Sequence, residues 1–150
     1  MKILTFNWHE PYLALLTRAG HEWIVADWPR RWNAGFRPLP ANARLCADPA
    51  EADALLAGRG VDLVLAQTAG DLAWLGDRRV PLVYLAHNSL PNEAREGAPA
   101  DARRVQVATA LARCRGELVA ISPMKLESWA LPGTVILPGI DPSTDGGWTG

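Results

Sequence analysis

Seven short runs of aliphatic and β-branched residues punctuate the chain: 2–6 (KILTF), 22–26 (EWIVA), 42–46 (NARLC), 61–66 (VDLVLA), 80–85 (VPLVYL), 117–121 (ELVAI) and 134–137 (TVIL). Most lack the strict polar alternation of a half-exposed strand, so they read as strands covered on both faces. Stretches of helical period separate several of them, the pattern of βα units around a parallel sheet. The expected fold is therefore α/β: a Rossmann-like parallel sheet of about seven strands with helices on both faces.

The helix signals are local. Pro11 can open a helix whose Leu13, Leu16 and Ala19, or Tyr12, Leu15 and Leu16, supply apolar faces, with Gly20 placed to end it in the left-handed conformation. Asp48-Pro49-Ala50-Glu51 reads as a cap, a first-turn proline and the glutamate of a capping box ahead of a helix over about 49–57. Thr68 to Asp71 repeats the capping spacing, and Ser122-Pro123 reads as cap and first turn. Val105, Ala108, Leu111 and Ala112 form a stripe on a helix of about 100–113. Segments 27–41 and 88–98 carry no clear regular pattern; both follow strands, where the crevice of an open parallel sheet is lined.

Composition narrows the function classes. With 49% hydrophobic and 21% charged residues and a formal net charge of -1, neither disorder nor a nucleic-acid footprint is expected. No apolar stretch approaches the roughly 20 residues of a spanning helix, and the apolar run after Lys2 is too short for a signal peptide. Cys46 and Cys114 match no metal spacing and are too few for a disulfide scaffold, which fits a reducing, cytoplasmic compartment. Arg30, Arg31 and Arg37 leave room for a transient contact with an anionic acceptor or lipid head group at the inner membrane face, although such runs are commonly a solvated face.

The strand ends carry the candidate chemistry. The first strand closes in Asn7-Trp8-His9-Glu10, not in the glycine-rich turn that lets a dinucleotide pyrophosphate approach a helix. The fourth closes in Ala66-Gln67, without the aspartate of a phosphate-accepting receiver. No GxSxG elbow, HExxH helix or GxxxxGK loop is present. His87-Asn88 follows VPLVYLA, so His87 is expected at the carboxyl end of a central strand, where it can donate a hydrogen bond into the crevice. A strand-end histidine can equally bind a neighbouring backbone group. Glu10 is explained by its place at a helix N-terminus, and His21 reads as a turn residue. Trp28, Trp32 and Phe36 are expected to cover the core beneath long loops, with Trp8 the aromatic expected at the crevice.

Three stretches in order, KILTFNWHEPYLALLTRAGHEWIVA, VDLVLAQT with VPLVYLAHNS, and ELVAISPMKLESWALPGTVILPGID, together resemble the N-terminal half of GT-B-type glycosyltransferases, in particular the retaining family-four group. The resemblance implies a two-domain enzyme whose first domain, here 1–141, holds the acceptor and whose second holds a nucleotide-sugar donor. Residues 142–150 would begin the interdomain linker, the C-terminal donor domain would be absent from this chain, and the isolated chain is expected to be inactive. Matched to the family's positions, His87 would hydrogen-bond the transferred sugar, Asn88 would orient it, and Ser122 with Lys125 would lie near the acceptor or the domain cleft. Asn7, Trp8, His9 and Glu10 replace the glycine pair of many relatives, which implies a side-chain-lined acceptor site. The implied co-substrates are a nucleotide sugar and a sugar or glycolipid acceptor, with no metal required. The competing expectations are a stand-alone Rossmann-like binding module without catalysis, or one half of a split glycosyltransferase.

Overall fold

A computed structural model describes residues 1–139 apart from Pro29 and Glu96. The boundary expected at Ile140-Asp141 and the linker expected over 142–150 lie outside the described residues.

The strands are β1 (Lys2–Phe6), β2 (Glu22–Ala26), β3 (Ala43–Cys46), β4 (Leu63–Ala66), β5 (Leu82–Ala86), β6 (Glu117–Ala120) and β7 (Thr134–Val135). They form one parallel sheet in the order β3-β2-β1-β4-β5-β6-β7. The chain winds outward in one direction through β2 and β3 and in the other through β4 to β7. The reversal lies between β1 and β4, where the carboxyl ends of neighbouring strands open a crevice. The fold is α/β and Rossmann-like, as the apolar runs imply.

Helices α1 (Glu10–Leu16), α2 (Pro49–Ala57), α3 (Ala69–Leu75), α4 (Leu90–Arg95), α5 (Ala100–Cys114) and α6 (Pro123–Trp129) connect the strands. Alternate strand residues divide the sheet into two faces. Leu4, Ile24, Val64, Tyr84 and Leu118 share a buried cluster with Leu72 of α3, Val107 and Ala110 of α5 and Trp129 of α6. Ile3, Trp23, Leu65, Leu85 and Val119 face the other way, against Tyr12 and Leu16 of α1. That second face is covered less completely. An apolar groove of about 660 Å³ runs along it from Tyr12 over Leu65, Leu85 and Val119 to Ile136 and Leu137.

Most caps follow the sequence. Gly20 ends the 3-10 turn Thr17–Ala19 after α1 at φ 75°, a left-handed conformation that costs glycine nothing. Thr68 and Asp71 close a reciprocal capping box on α3, and the Ser122 hydroxyl accepts the Lys125 N–H at the start of α6. At α2 the Asp48 carboxylate accepts the Glu51 N–H, but Glu51 does not complete a box. Its carboxylate reaches one residue further back, to the Ala47 N–H at 3.0 Å, and pairs with Arg44. The buried residues of α5 are Val107, Ala110 and Cys114 rather than the Val105 stripe, and Val105 is 63% exposed. Both sets have helical spacing, and contact with α3 and β5 selects between them. Segment 88–98, expected to be irregular, contains α4.

Candidate functional site

The side chains at the crevice are fixed from below by a buried polar chain. Thr5, fully buried on β1, donates its hydroxyl to the Leu65 carbonyl at 3.0 Å. Its oxygen is then free to accept, and the Gln67 side-chain amide donates to it at 3.0 Å and to the Phe6 carbonyl at 3.3 Å. A carbonyl only accepts, so the NH₂ end of Gln67 points toward β1 and its Oε1 points away. That Oε1 lies 3.0 Å from His87 Nε2. An amide oxygen cannot donate, so Nε2 carries the proton of this hydrogen bond. The Gln67 backbone is held as well, its N–H donating to the Asp71 carboxylate at 2.7 Å.

His87 is 7% exposed and framed by aromatic rings. Trp8 stacks on it with centroids 4.8 Å apart and planes 25° apart, and Tyr12 meets it edge-on at 4.3 Å and 88°. Burial, with the nearby Lys125 ammonium and His9, pushes its pKa down to about 4. At pH 7 such a group is protonated in only about one molecule in a thousand. It is therefore a poor general base, and its neutral ring has one N–H. That N–H belongs to Gln67. Nδ1 carries the lone pair and has no hydrogen-bond partner among the described residues. With its N–H directed at Gln67 on the end of β4, His87 presents Nδ1 to the crevice as an acceptor.

The other expected residues divide into two groups. Trp8, half-buried, lies at the crevice with His87, and exposed His9 follows it, its ring 5.6 Å from the Trp8 ring. Lys125, on the first turns of α6, is close enough to act on His87 electrostatically. Asn7 is 4% exposed; its side-chain amide donates to the Arg30 carbonyl at 3.2 Å, while its Oδ1 is buried without a partner. Glu10, 6% exposed, is turned toward the 27–41 segment, where its carboxylate accepts the Asn33 N–H at 2.9 Å. The Asn88 amide donates to Glu93 at 3.2 Å, and its carbonyl accepts the Trp129 indole N–H at 3.1 Å. Asn88 and Ser122 therefore have structural partners at the start of α4 and α6.

Segment 27–41 is held by its own polar contacts. Asp27, buried at the carboxyl end of β2, accepts the Trp32 N–H and the Arg31 guanidinium. Dinucleotide-binding domains use an acidic residue at about this place for a ribose hydroxyl. Here the loop occupies it. Trp32 is buried against Leu13 and Val25, and Trp28 meets Phe6 and Trp74 edge-on, so both cover the core as expected. Phe36, by contrast, is 70% exposed. Arg30 donates to the Trp8 carbonyl at 2.8 Å, and the Arg37 carbonyl accepts the Trp32 indole N–H.

Sequence reasoning passed over Thr5, Gln67 and Tyr12 as site residues. The available signal was a glutamine directly after the apolar LVLA run, where a strand end enters the crevice. Among the described residues no group of three or more His, Cys, Asp or Glu converges to hold a metal, and no helix is long and apolar enough to cross a membrane. No protein-family model matches the chain, and no curated protein matches it.

Proposed function

We propose that this chain is the acceptor-side domain of a retaining glycosyltransferase that moves a sugar from a nucleotide-sugar donor to an acceptor hydroxyl. The observation carrying this reading is neutral His87, set between Trp8 and Tyr12 at the strand ends beside the β1/β4 switch point, with Nδ1 as an unpartnered acceptor. A sugar presents apolar C–H faces and hydroxyl donors, and an aromatic frame around one acceptor suits both.

In this reading the bond between the anomeric carbon and the donor phosphate breaks while a bond to the acceptor oxygen forms on the same face. The acceptor proton moves to the departing phosphate oxygen. His87 Nδ1 accepts a hydrogen bond from a sugar hydroxyl and sets its orientation, Trp8 lines the sugar's approach, and Lys125 adds positive charge at the crevice edge. Phosphate contacts and the nucleotide belong to a donor domain, and no metal enters these steps. A sugar or glycolipid acceptor and a cytoplasmic site of action, with peripheral contact at the inner membrane face, complete the proposal.

A second reading, a binding module without catalysis, draws on the same hydrogen bond: with its N–H held by Gln67, His87 brings no donor to a developing oxyanion. Transfer assays on the protein carrying this domain together with a donor-binding domain separate the two. One positioning hydrogen bond of about 1–2 kcal/mol corresponds to a factor of about 5–30 in rate. His87→Ala is expected to lower kcat/KM by that factor while the protein remains folded. Turnover unchanged by the substitution, or no transfer from any nucleotide sugar, counts against the glycosyltransferase.

A further inference from the structure

We propose that Gln67 is a positioning residue: anchored by the Thr5 hydroxyl and the Phe6 carbonyl, its amide oxygen fixes His87 as the Nε2–H tautomer and thereby makes Nδ1 the acceptor offered to the ligand. This rests on the proposed function only for the identity of what meets Nδ1.

The geometry leaves one consistent arrangement of protons. Leu65 and Phe6 contribute carbonyls, which can only accept. Thr5 gives its single hydroxyl hydrogen to Leu65, so it can receive only a donor from Gln67. Both contacts of Gln67 toward β1 therefore require its NH₂, and the only group left for Nε2 of His87 is the amide oxygen. Reversing any member would set two donors or two acceptors against each other in a site where Gln67 is 1% and Thr5 0% exposed. An unsatisfied polar group there costs about 1–3 kcal/mol. The register supplies the alignment: Thr5 pairs with Leu65 across β1 and β4, and Ala66 pairs with Tyr84 across β4 and β5. Continuing that register brings Gln67 level with Leu85 on the α1 face, one same-face position before His87, and the two side chains close the remaining step with their 3.0 Å contact.

A histidine without such a partner exchanges between tautomers, so part of its population would present N–H at the position where the rest presents a lone pair. The relay removes that ambiguity without a charge. A carboxylate at position 67 would also accept from Nε2, but it would favour the imidazolium and leave the Phe6 carbonyl and the Thr5 oxygen without a donor. The titratable groups facing the ring from the packed elements are His9 before α1, Tyr12 on α1 and Lys125 on α6. None of them is a carboxylate that would hold a charged ring.

Ring ¹⁵N and ¹H NMR of His87 in the chain alone tests the relay. The wild type is expected to show a slowly exchanging Hε2 proton at pH 7, in contact with the Gln67 side chain, and an unprotonated Nδ1. Gln67→Met is expected to abolish the exchange protection and mix the tautomers. Gln67→Glu is expected to raise the ring's pKa by about one unit or more. Thr5→Val acts one step further away and is expected to weaken the protection, and Thr5→Ser to restore it. A wild-type ring protonated at Nδ1, or protection indifferent to Gln67→Met and Thr5→Val, overturns the proposal. Because these signals are read without ligand, their failure is distinct from a failure to transfer sugar.

Discussion

The Trp8 indole lies almost parallel to the His87 imidazole, 4.8 Å away between ring centroids and tilted by 25°. Trp8 belongs to the turn after β1 and His87 to the end of β5, two strands with β4 between them. The contact therefore ties the two sides of the crevice mouth together and removes one face of the imidazole from water. Tyr12, edge-on from α1, packs a second side. What stays chemically available is the ring edge bearing Nδ1, which is why the site is read through an acceptor.

Burial of His87 makes stability depend on pH in a defined direction. Its native pKa is pushed down to about 4 from an ordinary 6.5, so between those values the unfolded chain binds a proton that the native chain does not. Stability is expected to fall as pH drops through that window and to stop changing on this account below about 4. Asp71 has the opposite sign, since burial raises its carboxyl. Subtracting the curve of His87→Leu isolates the histidine. Urea midpoints at several pH values check this; a difference curve that is flat from 6.5 to 4 contradicts it.

The 27–41 segment is expected to depend on two buried carboxylates. Asp27→Ala leaves the Trp32 N–H without its acceptor, and Glu10→Ala does the same to Asn33. Each is expected to cost about 1–3 kcal/mol and to raise hydrogen exchange at Trp32 or Asn33 selectively. Neutral behaviour of both variants would show that the loop is held otherwise.

Two glycines at the opposite end of the sheet repeat one close approach. A Cβ on Gly116, ahead of β6, would lie 2.5 Å from the Leu82 carbonyl oxygen, and one on Gly133, ahead of β7, 2.5 Å from that of Leu118. Both obstacles are backbone of the neighbouring strand, which cannot rotate away. Gly116→Ala and Gly133→Ala are each expected to destabilise by about 1–3 kcal/mol, whereas Gly139→Ala, with open space around it, is expected to be near neutral. Thermal unfolding of the three variants compares them directly.

The sheet was legible because each strand is a local event. KILTF and EWIVA coincide with β1 and β2, and Thr68, Asp71 and Ser122 cap where their spacing says. The position of His87 was legible for the same reason, as the residue after an apolar run. Its proton was not. Gln67 and Thr5 are 62 residues apart, and their contact depends on β4 lying beside β1, which no local pattern encodes. Helix α4 was missed because Pro91 and a charged stretch resemble a loop, yet Pro91 sits in the first turn, where its missing N–H has no intrahelical partner to lose. On α5, Val105 and Val107 are equally apolar, and only the tertiary neighbours decide which is buried.

In the proposed function, Nδ1 of His87 accepts a hydrogen bond from a sugar hydroxyl. The direct measurement is the His87 ring ¹⁵N spectrum of the chain titrated with a panel of methyl hexosides, alongside the same titration of Trp8→Ala. A saturable shift confined to Nδ1, with Nε2 still protonated, is expected for at least one hexoside and is expected to weaken in Trp8→Ala. An Nδ1 resonance unmoved by every hexoside, or hexoside binding that moves other residues and leaves His87 unchanged, contradicts it.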